Sequence, residues 1–403
     1  MLKIFERVVV CLLFLSASNA YSEEYLLESK ITTRAGYNSN PYISVQPREV
    51  TSIVVTPSIS GIVKESNWQT KFDAAVSSHT DDDPEKDSDN IGKRFALSGR
   101  YGAERNIFSL ALGYDLTSNL SSLSEDFGTV TRRINRVTQS VTPGYTRLLT
   151  ERLVFSLSYT MTEVDFEDAD NTNLTPYKLE TGSSSLSYDL TEKDKLTFSL
   201  QVTDYQSENN QVTYQTFVSQ LGLGHKFSET WSTDLSIGVS RQTSTNLETV
   251  FIDFFGQTGF RQQEVDVKNR GLVMNAAVEK RFELGSLNAS LSRSDSSNSF
   301  GGLNQVDSFK LDYETKFASL WHYSIGTRFD RIESITSNAS ISDRDFLYFV
   351  TAVSYNISSN WNADVSYTYA QRQLNGDLNS NDKNHSNRVF MGLTYNFPAL
   401  STF

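Results

Sequence analysis

Phe108-Ser109-Leu110-Ala111-Leu112-Gly113-Tyr114-Asp115-Leu116 alternates without a break. Phe108, Leu110, Leu112, Tyr114 and Leu116 share one parity, and Ser109, Ala111, Gly113 and Asp115 share the other. A period of two marks a β-strand, because successive side chains leave opposite faces of the pleat. The same split sets Leu153, Phe155, Leu157, Tyr159 and Met161 against Ser156, Ser158, Thr160 and Thr162. It returns in Leu196, Phe198, Leu200 and Val202, and in Trp361, Ala363, Val365, Tyr367 and Tyr369. In a soluble sandwich the apolar parity would form a core. In a membrane barrel it faces lipid, and the small polar parity faces a lumen.

Aromatic placement favours the barrel. Each of the four tryptophans, Trp68, Trp231, Trp321 and Trp361, follows a tight turn and opens an alternating run. An amphipathic ring prefers the boundary between hydrocarbon and water, so these four predict an aromatic girdle at the periplasmic rim. The 19 Tyr and 25 Phe supply further aromatics at strand ends and the opposite rim. After the leader, no stretch approaches the ~18 apolar residues of a spanning helix, which excludes a helical membrane protein.

The leader itself reads as a secretory signal. Met1–Ala20 carries Lys3 and Arg7, an apolar stretch from Val8 to Leu15, and small residues Ser18 and Ala20 before the expected cleavage point. Residues 21–403 then form a single barrel domain. The one cysteine, Cys11, lies inside the leader, so no disulfide framework or thiolate metal site is expected.

Connection lengths set the strand count. Short turns fall near 65–67, 104–106, 149–152, 191–195, 228–230, 283–285, 318–320 and 358–360. Longer polar connections fall near 39–48, 80–92, 118–131, 166–175, 207–212, 242–264, 294–304, 333–342 and 372–386. Strict alternation of the two classes predicts an all-β, closed antiparallel transmembrane β-barrel of about eighteen strands, sixteen being the next count, with both termini at the short-turn, periplasmic side. An open sheet edge in hydrocarbon would leave unpaired amides, so the last strand should pair with the first near Ile31–Asn38. Arg388–Phe397 suits that role, with Val389, Met391, Leu393, Tyr395 and Phe397 outward. Gly392, Tyr395, Phe397 and the terminal Phe403 resemble the C-terminal signal that bacterial outer-membrane assembly machinery reads. Phe390 departs from it by standing where a polar residue is usual, and six residues follow Phe397.

Parity also assigns a lumen. Lys71, Asp73, Arg94, Arg100, Asp115, Asp204, Asp234, Lys310, Asp312, Glu314, Lys316, Arg328, Asp330 and Asp364 are placed inside, with Gln69 and His322. Charge on the lipid face costs about 2–4 kcal/mol for Arg or Lys at mid-depth, so this segregation is expected. Both signs are present, and a ladder of ion pairs that stiffens the wall outweighs a dedicated substrate track. The formal net charge is −12. Much of the excess lies in the run from Asp81 to Asp89, which reads as a solvated loop able to hold cations against lipopolysaccharide phosphates. It lacks the central glycine and distal Glu of a calcium loop. Acidity disfavours nucleic acid as a partner. Of the four histidines, none has metal-ligand spacing, and His225 alone faces outward, as an interfacial anchor. No enzyme constellation, metal or cofactor is indicated.

Leu123–Arg136, Val141–Leu153 and Ser156–Thr160 resemble a family of outer-membrane β-barrel porins. Ala35–Pro41 is similar to that family's Gly-Tyr-x-x-Asn opening. Its members are commonly encoded with exopolysaccharide biosynthesis and export machinery. The resemblance implies passive export of a polysaccharide cargo with a separate periplasmic export partner; it carries no catalytic motif. A lumen of mixed charge suits a neutral or weakly charged glycan better than a polyanion. Two other readings stand beside it. A diffusion or nutrient-uptake porin would use an inward-folded loop as its constriction, for which 243–264, with Phe251, Phe254, Phe255 and Phe260, is the candidate. A structural or adhesive barrel would keep its lumen blocked.

Overall fold

The computed structural model describes residues 24–82, 91–118, 134–167, 174–208, 212–254, 257–297, 303–335, 343–375 and 383–402. The signal segment 1–20, the acidic run from 83 onward, most of the 118–131 connection, Phe255 and Phe403 lie outside the described residues.

Alternation produces strands throughout. They are β1 (Glu24–Asn38), β2 (Val50–Lys64), β3 (Trp68–Asp81), β4 (Ile91–Ala103), β5 (Asn106–Ser118) and β6 (Asn135–Leu148). There follow β7 (Leu153–Glu167), β8 (Tyr177–Asp189), β9 (Asp194–Ser207), β10 (Val212–Ser228), β11 (Trp231–Phe254) and β12 (Gln257–Phe282). The last are β13 (Gly285–Ser297), β14 (Leu303–Phe317), β15 (Trp321–Ser334), β16 (Asp343–Asn356), β17 (Trp361–Asn375), β18 (Lys383–Asn396) and the two-residue β19 (Leu400–Ser401). Each spanning strand pairs antiparallel with the next, and β1 pairs with β18 from Lys30↔Asn396 to Asn38↔Arg388. The result is a closed antiparallel barrel of 18 strands. Closure leaves no free edge at the level where solvent cannot satisfy one.

Short turns and longer connections alternate between the two rims, and both described termini lie at the short-turn rim, where Glu24 pairs with Lys64 and Leu26 with Ser401. The residues after Phe397 continue the seam: the Phe397 amide donates to Ser29 O at 2.9 Å, and β19 pairs with Leu26 and Leu27. One expected loop is absent. β11 and β12 pair without interruption from Trp231↔Lys280 to Phe254↔Gln257, so 243–264 is a two-stranded ribbon, and the inward-folded constriction expected there is not formed. The ladder breaks where proline removes a donor: β2–β3 pairing skips the level of Pro57, and β6–β7 pairing skips Pro143.

The surface is inverted relative to a water-soluble protein. Phe108 is 50% exposed, Ile237 59% and Met391 62%, whereas Asp330 and Asn304 are fully buried. Apolar residues cover the outside and polar ones the inside, as lipid requires of a barrel. Inside, hydroxyl pairs bridge neighbouring strands, among them Thr142–Thr160 at 3.1 Å, Thr181–Thr203 at 3.2 Å and Thr32–Thr394 at 3.0 Å. Phe390 points inward because Gly36 receives its ring: a Cβ on Gly36 would lie 2.0 Å from Phe390 Cε1. Arg388 stacks above that ring at 5.4 Å.

The lumen and its waist as the candidate functional site

Directly paired residues on neighbouring strands share a face, so the registers assign the lumen strand by strand. Lys310 pairs with Arg328, Arg328 with Tyr348 and Tyr348 with Ala370. Asp312 lies opposite Gly326, Glu314 opposite Ser286, and Lys316 opposite His322. Asp330 lies opposite Phe346, and Asp364 opposite Gly392. On the other side of the seam, Lys71 pairs with Ser98, Asp73 with Ala96, Gln69 with Arg100, and Arg94 with Asp115. Asp234 sits across from Gly224. All of these face inward. Asp204 does not: it pairs with Glu180 and Gln215 on the outer face and accepts a 2.8 Å bond from Gln215 Nε2. The alternation of β9 dictates this, because Asp204 shares parity with Phe198, Leu200 and Val202. A carboxylate at the long-loop end of the strand lies beyond the apolar band and carries no mid-membrane penalty.

Several inward charges neutralise one another. Lys310 Nζ lies 3.0 Å from Asp312, Arg328 Nε 2.7 Å from Asp330, Arg34 Nε 3.5 Å from Asp364 and Arg94 Nε 3.9 Å from Asp115. Lys310, Asp312, Glu314 and Arg328 line one cavity of about 760 Å³. Asp73 and Arg94 line another of about 790 Å³ with Lys30, Arg34 and Phe390. The opposite wall is neutral: Ser109, Ser158, Ser183, Ser185, Ser199 and Gln201 line a cavity of about 230 Å³. The lumen therefore has a charged half and a hydroxyl half.

Two segments narrow it at the long-loop end. The first is the start of the 39–49 connection, where Asn40, Tyr42 and Ile43 are buried. Asn40 Nδ2 donates to Ser44 O at 2.9 Å and to His385 O at 3.2 Å, and Ile43 takes a left-handed φ of 47° to make the turn. Pro41 and Ile43 roof the charged cavity lined by Lys310, Asp312, Glu314 and Arg328. The second is the upper end of β13–β14. Pairing of β12 with β13 stops at Met274↔Arg293, whereas β13 and β14 remain paired to Ser297↔Leu303. Leu303 and Ile335 then pack with Tyr177, Leu179, Tyr205 and Tyr214 of β8–β10. Since β11–β13 separate β10 from β14 in the wall, this contact crosses the lumen. Tyr205 and Tyr214 stack at 4.5 Å with planes 6° apart to receive the crossing chain.

Three arginines at this waist are absent from the lumen set read from the sequence. Arg344 lies opposite Ile332, Arg372 opposite Phe346, and Arg388 opposite Thr368. Arg344 and Arg372 are buried, and Arg372 Nη2 donates to Ile43 O at 2.8 Å. Arg344 Nε and Nη2 and Arg372 Nε have no hydrogen-bond partner among the described residues. No carboxylate among those residues forms an ion pair with any of the three. Arg388 was within reach of sequence reasoning, because the alternation that turns Val389 and Met391 outward turns it inward. Arg372 falls in a stretch read as a connection, which β17 in fact includes.

The tryptophans stand on the outer face at the short-turn rim. Trp321 packs on Tyr355 at 4.5 Å, Trp361 on Tyr395 at 4.8 Å and Trp231 edge-on to Phe227 at 6.1 Å, while Trp68 Nε1 donates to Glu65. Tyr395 also meets Phe397 at 5.0 Å, and Gly392 lies beneath the Asp364 carboxylate, which a Cβ would approach to 2.3 Å. His225 faces outward at this rim, 2.6 Å from Asp194 and edge-on to Phe227. Among the described residues no cluster of three or more acidic, His or Cys side chains could hold a metal.

No family model and no curated protein matches the chain, so the exopolysaccharide-associated family that the sequence resembles is not recovered. Solved structures with similar layout include OccK2 (OpdF) of Pseudomonas aeruginosa, at 11% identity and a TM-score of 0.47 over 92% of this chain and 98% of that one. OccAB4 of Acinetobacter baumannii gives 11% and 0.48 over the same shares. OpdO of Pseudomonas aeruginosa gives 13% and 0.48 over 94% and 98%.

Proposed function

We propose that this barrel is an outer-membrane channel that admits small anionic solutes by passive diffusion from the long-loop side. The observation that carries the reading is the group of Arg344, Arg372 and Arg388 at the waist, inward and with no ion pair to a carboxylate among the described residues. Lys310, Arg328, Arg34 and Arg94 are each offset by a neighbouring acid, whereas these three leave a local positive field in a narrowed, low-dielectric passage. Guanidinium presents paired donors to carboxylate or phosphate, which favours anions bearing those groups over chloride alone. Below the waist, a solute meets a wall of serine, threonine and glutamine that offers hydrogen bonds without charge.

The polysaccharide cargo and periplasmic export partner implied by the resemblance gain no support from the comparisons. Two segments crossing the lumen are also unsuited to a polymer that needs a continuous bore. The channel reading is tested by reversal potentials of the refolded barrel in planar bilayers under a salt gradient. Wild type is expected to prefer anions. Replacing Arg344, Arg372 and Arg388 by Gln should lower the anion-to-cation permeability ratio by at least about fivefold, which corresponds to the ~1 kcal/mol of one close charge pair in water. An unchanged ratio, or cation preference in wild type, refutes the reading. A barrel that folds and never conducts supports a structural role instead.

A further inference from the structure

The outer face of β11–β13 changes character at one level. Along β11 the outward residues Leu235, Ile237 and Val239 are apolar, and the next is Arg241. Along β12 the outward residues Val278, Ala276, Met274 and Leu272 are apolar, and the next are Arg270 and Lys268. From Trp231 to Val239 is a span typical of a strand crossing hydrocarbon, about 9–11 residues. Arg241, Arg270 and Lys268 thus stand where the lipid headgroups begin.

Arg241 and Arg270 lie directly opposite one another on neighbouring strands. Like charges in that relation repel and are destabilising. Farther round the same rim each outward arginine has an acid: Arg293 forms an ion pair with Asp307, and Arg331 Nε lies 3.3 Å from Asp345. Arg241, Arg270 and Lys268 are exposed, and none of them has an ion pair to a residue outside 246–266 among the described residues. Asp266 and Glu264 continue the same parity of β12 above the three cations, so what remains at headgroup depth is the directly opposed pair Arg241 and Arg270, whose repulsion an anion seated between them would relieve. Immediately below are Val239, Ile237, Leu272 and Met274, all exposed on the outer wall.

We propose that this patch docks a phosphorylated glycolipid of the outer leaflet, its phosphate between Arg241 and Arg270 and its acyl chains along Val239, Ile237, Leu272 and Met274. Two opposed guanidiniums offer parallel donors to one phosphate, and the apolar residues beneath require an anion that carries hydrocarbon. The inference rests on the outer-membrane placement proposed above and is independent of what passes through the lumen.

The test uses the full barrel refolded in detergent, with native mass spectrometry against three probes: bisphosphorylated lipid A, dephosphorylated lipid A and inorganic phosphate. Wild type should retain bisphosphorylated lipid A, and dephosphorylated lipid A should bind at least about tenfold more weakly. Arg241→Gln with Arg270→Gln should lose that preference, while Arg331→Gln keeps it. Equal binding of the two lipids by wild type overturns the proposal and needs no variant to fold. Displacement by millimolar inorganic phosphate would show a free-anion site and overturn it also. Ion selectivity of the double variant should match wild type, since neither residue faces the lumen. A wild-type barrel that folds and conducts but shows no lipid preference refutes the docking alone, whereas failure to insert into bilayers refutes the membrane placement.

Discussion

Exchanging Leu221 and its neighbour Gln220 for arginine, one at a time, measures which face of the wall meets lipid. Leu221 lies near the middle of β10, is 51% exposed, and is flanked by outward Phe198 and Ile237. Gln220 lies between Ser199 and Gly238 on the opposite face and borders two lumen cavities. At mid-depth on the lipid face an arginine costs about 2–4 kcal/mol, which lowers the folding equilibrium between about thirtyfold and seven-hundredfold. In the lumen it meets water and neutral polar groups, and the expected change is within about 0.5 kcal/mol. Reversible refolding into short-chain lipid vesicles across a guanidinium series, followed by tryptophan fluorescence and heat-modifiable gel mobility, reads both variants on one scale. Equal costs would refute the assignment of faces. A neutral Leu221→Arg would mean that this exposed apolar surface does not meet hydrocarbon, and the membrane reading would fall with it.

Gly238→Ala places a Cβ 2.0 Å from the Ser219 carbonyl oxygen, a backbone atom that cannot step aside, and should cost about 1–3 kcal/mol in the same refolding assay. Gly182→Ala meets nothing within 4 Å and serves as the control, with little change expected. Asp82, just beyond the end of β3, is held below the usual carboxylate range by the Thr51 hydroxyl at 2.7 Å and the Thr51 amide at 2.8 Å. Because the folded pKa is lowered, this contribution is present above the unfolded value of about 4 and fades as pH falls through the folded one. Faster exchange of the Thr51 amide relative to its neighbours on acidification is the expected signature, and Asp82→Asn should remove the pH dependence.

Strand count, closure and the inverted surface were legible because a single physical rule, period two, survives along almost the whole chain. The eight short turns could be found because each interrupts that rule with polar residues, and β1 and β18 could be matched because an unpaired edge has no place in lipid. Asp204 shows the limit of sorting by charge: its own strand places it outward, and only its depth beyond the apolar band makes that tolerable. The ribbon of β11 and β12 looked like a loop because its polar composition hides a backbone ladder that continues past the membrane. The waist was not legible for a different reason. Alternation reports that 285–297 and 303–317 are strands, but it carries no information on whether their upper ends remain in the wall or bend across the lumen, which depends on Tyr205 and Tyr214, 98 and 89 residues before Leu303 in the chain.

Where the wall opens is itself governed by the membrane. Up to Met274↔Arg293, β12 and β13 are paired residue for residue, as amides facing hydrocarbon must be. Above that pair the two strands separate. The same level is where the outward residues turn from Leu272, Met274 and Leu291 to Arg270, Arg241 and Arg293. Water and headgroups can satisfy backbone groups there, so β13–β14 can leave the wall and cross the lumen without an unsatisfied edge in lipid. The depth of the waist therefore follows from the height of the apolar band rather than from the sequence of the crossing segment alone. A solute arriving from the long-loop side meets Arg344 and Arg372 at headgroup depth, before the hydrocarbon-spanning part of the barrel. On the proposed anion-channel function, selection by charge would precede passage along the neutral hydroxyl wall, where hydrogen bonds alone would carry the solute on.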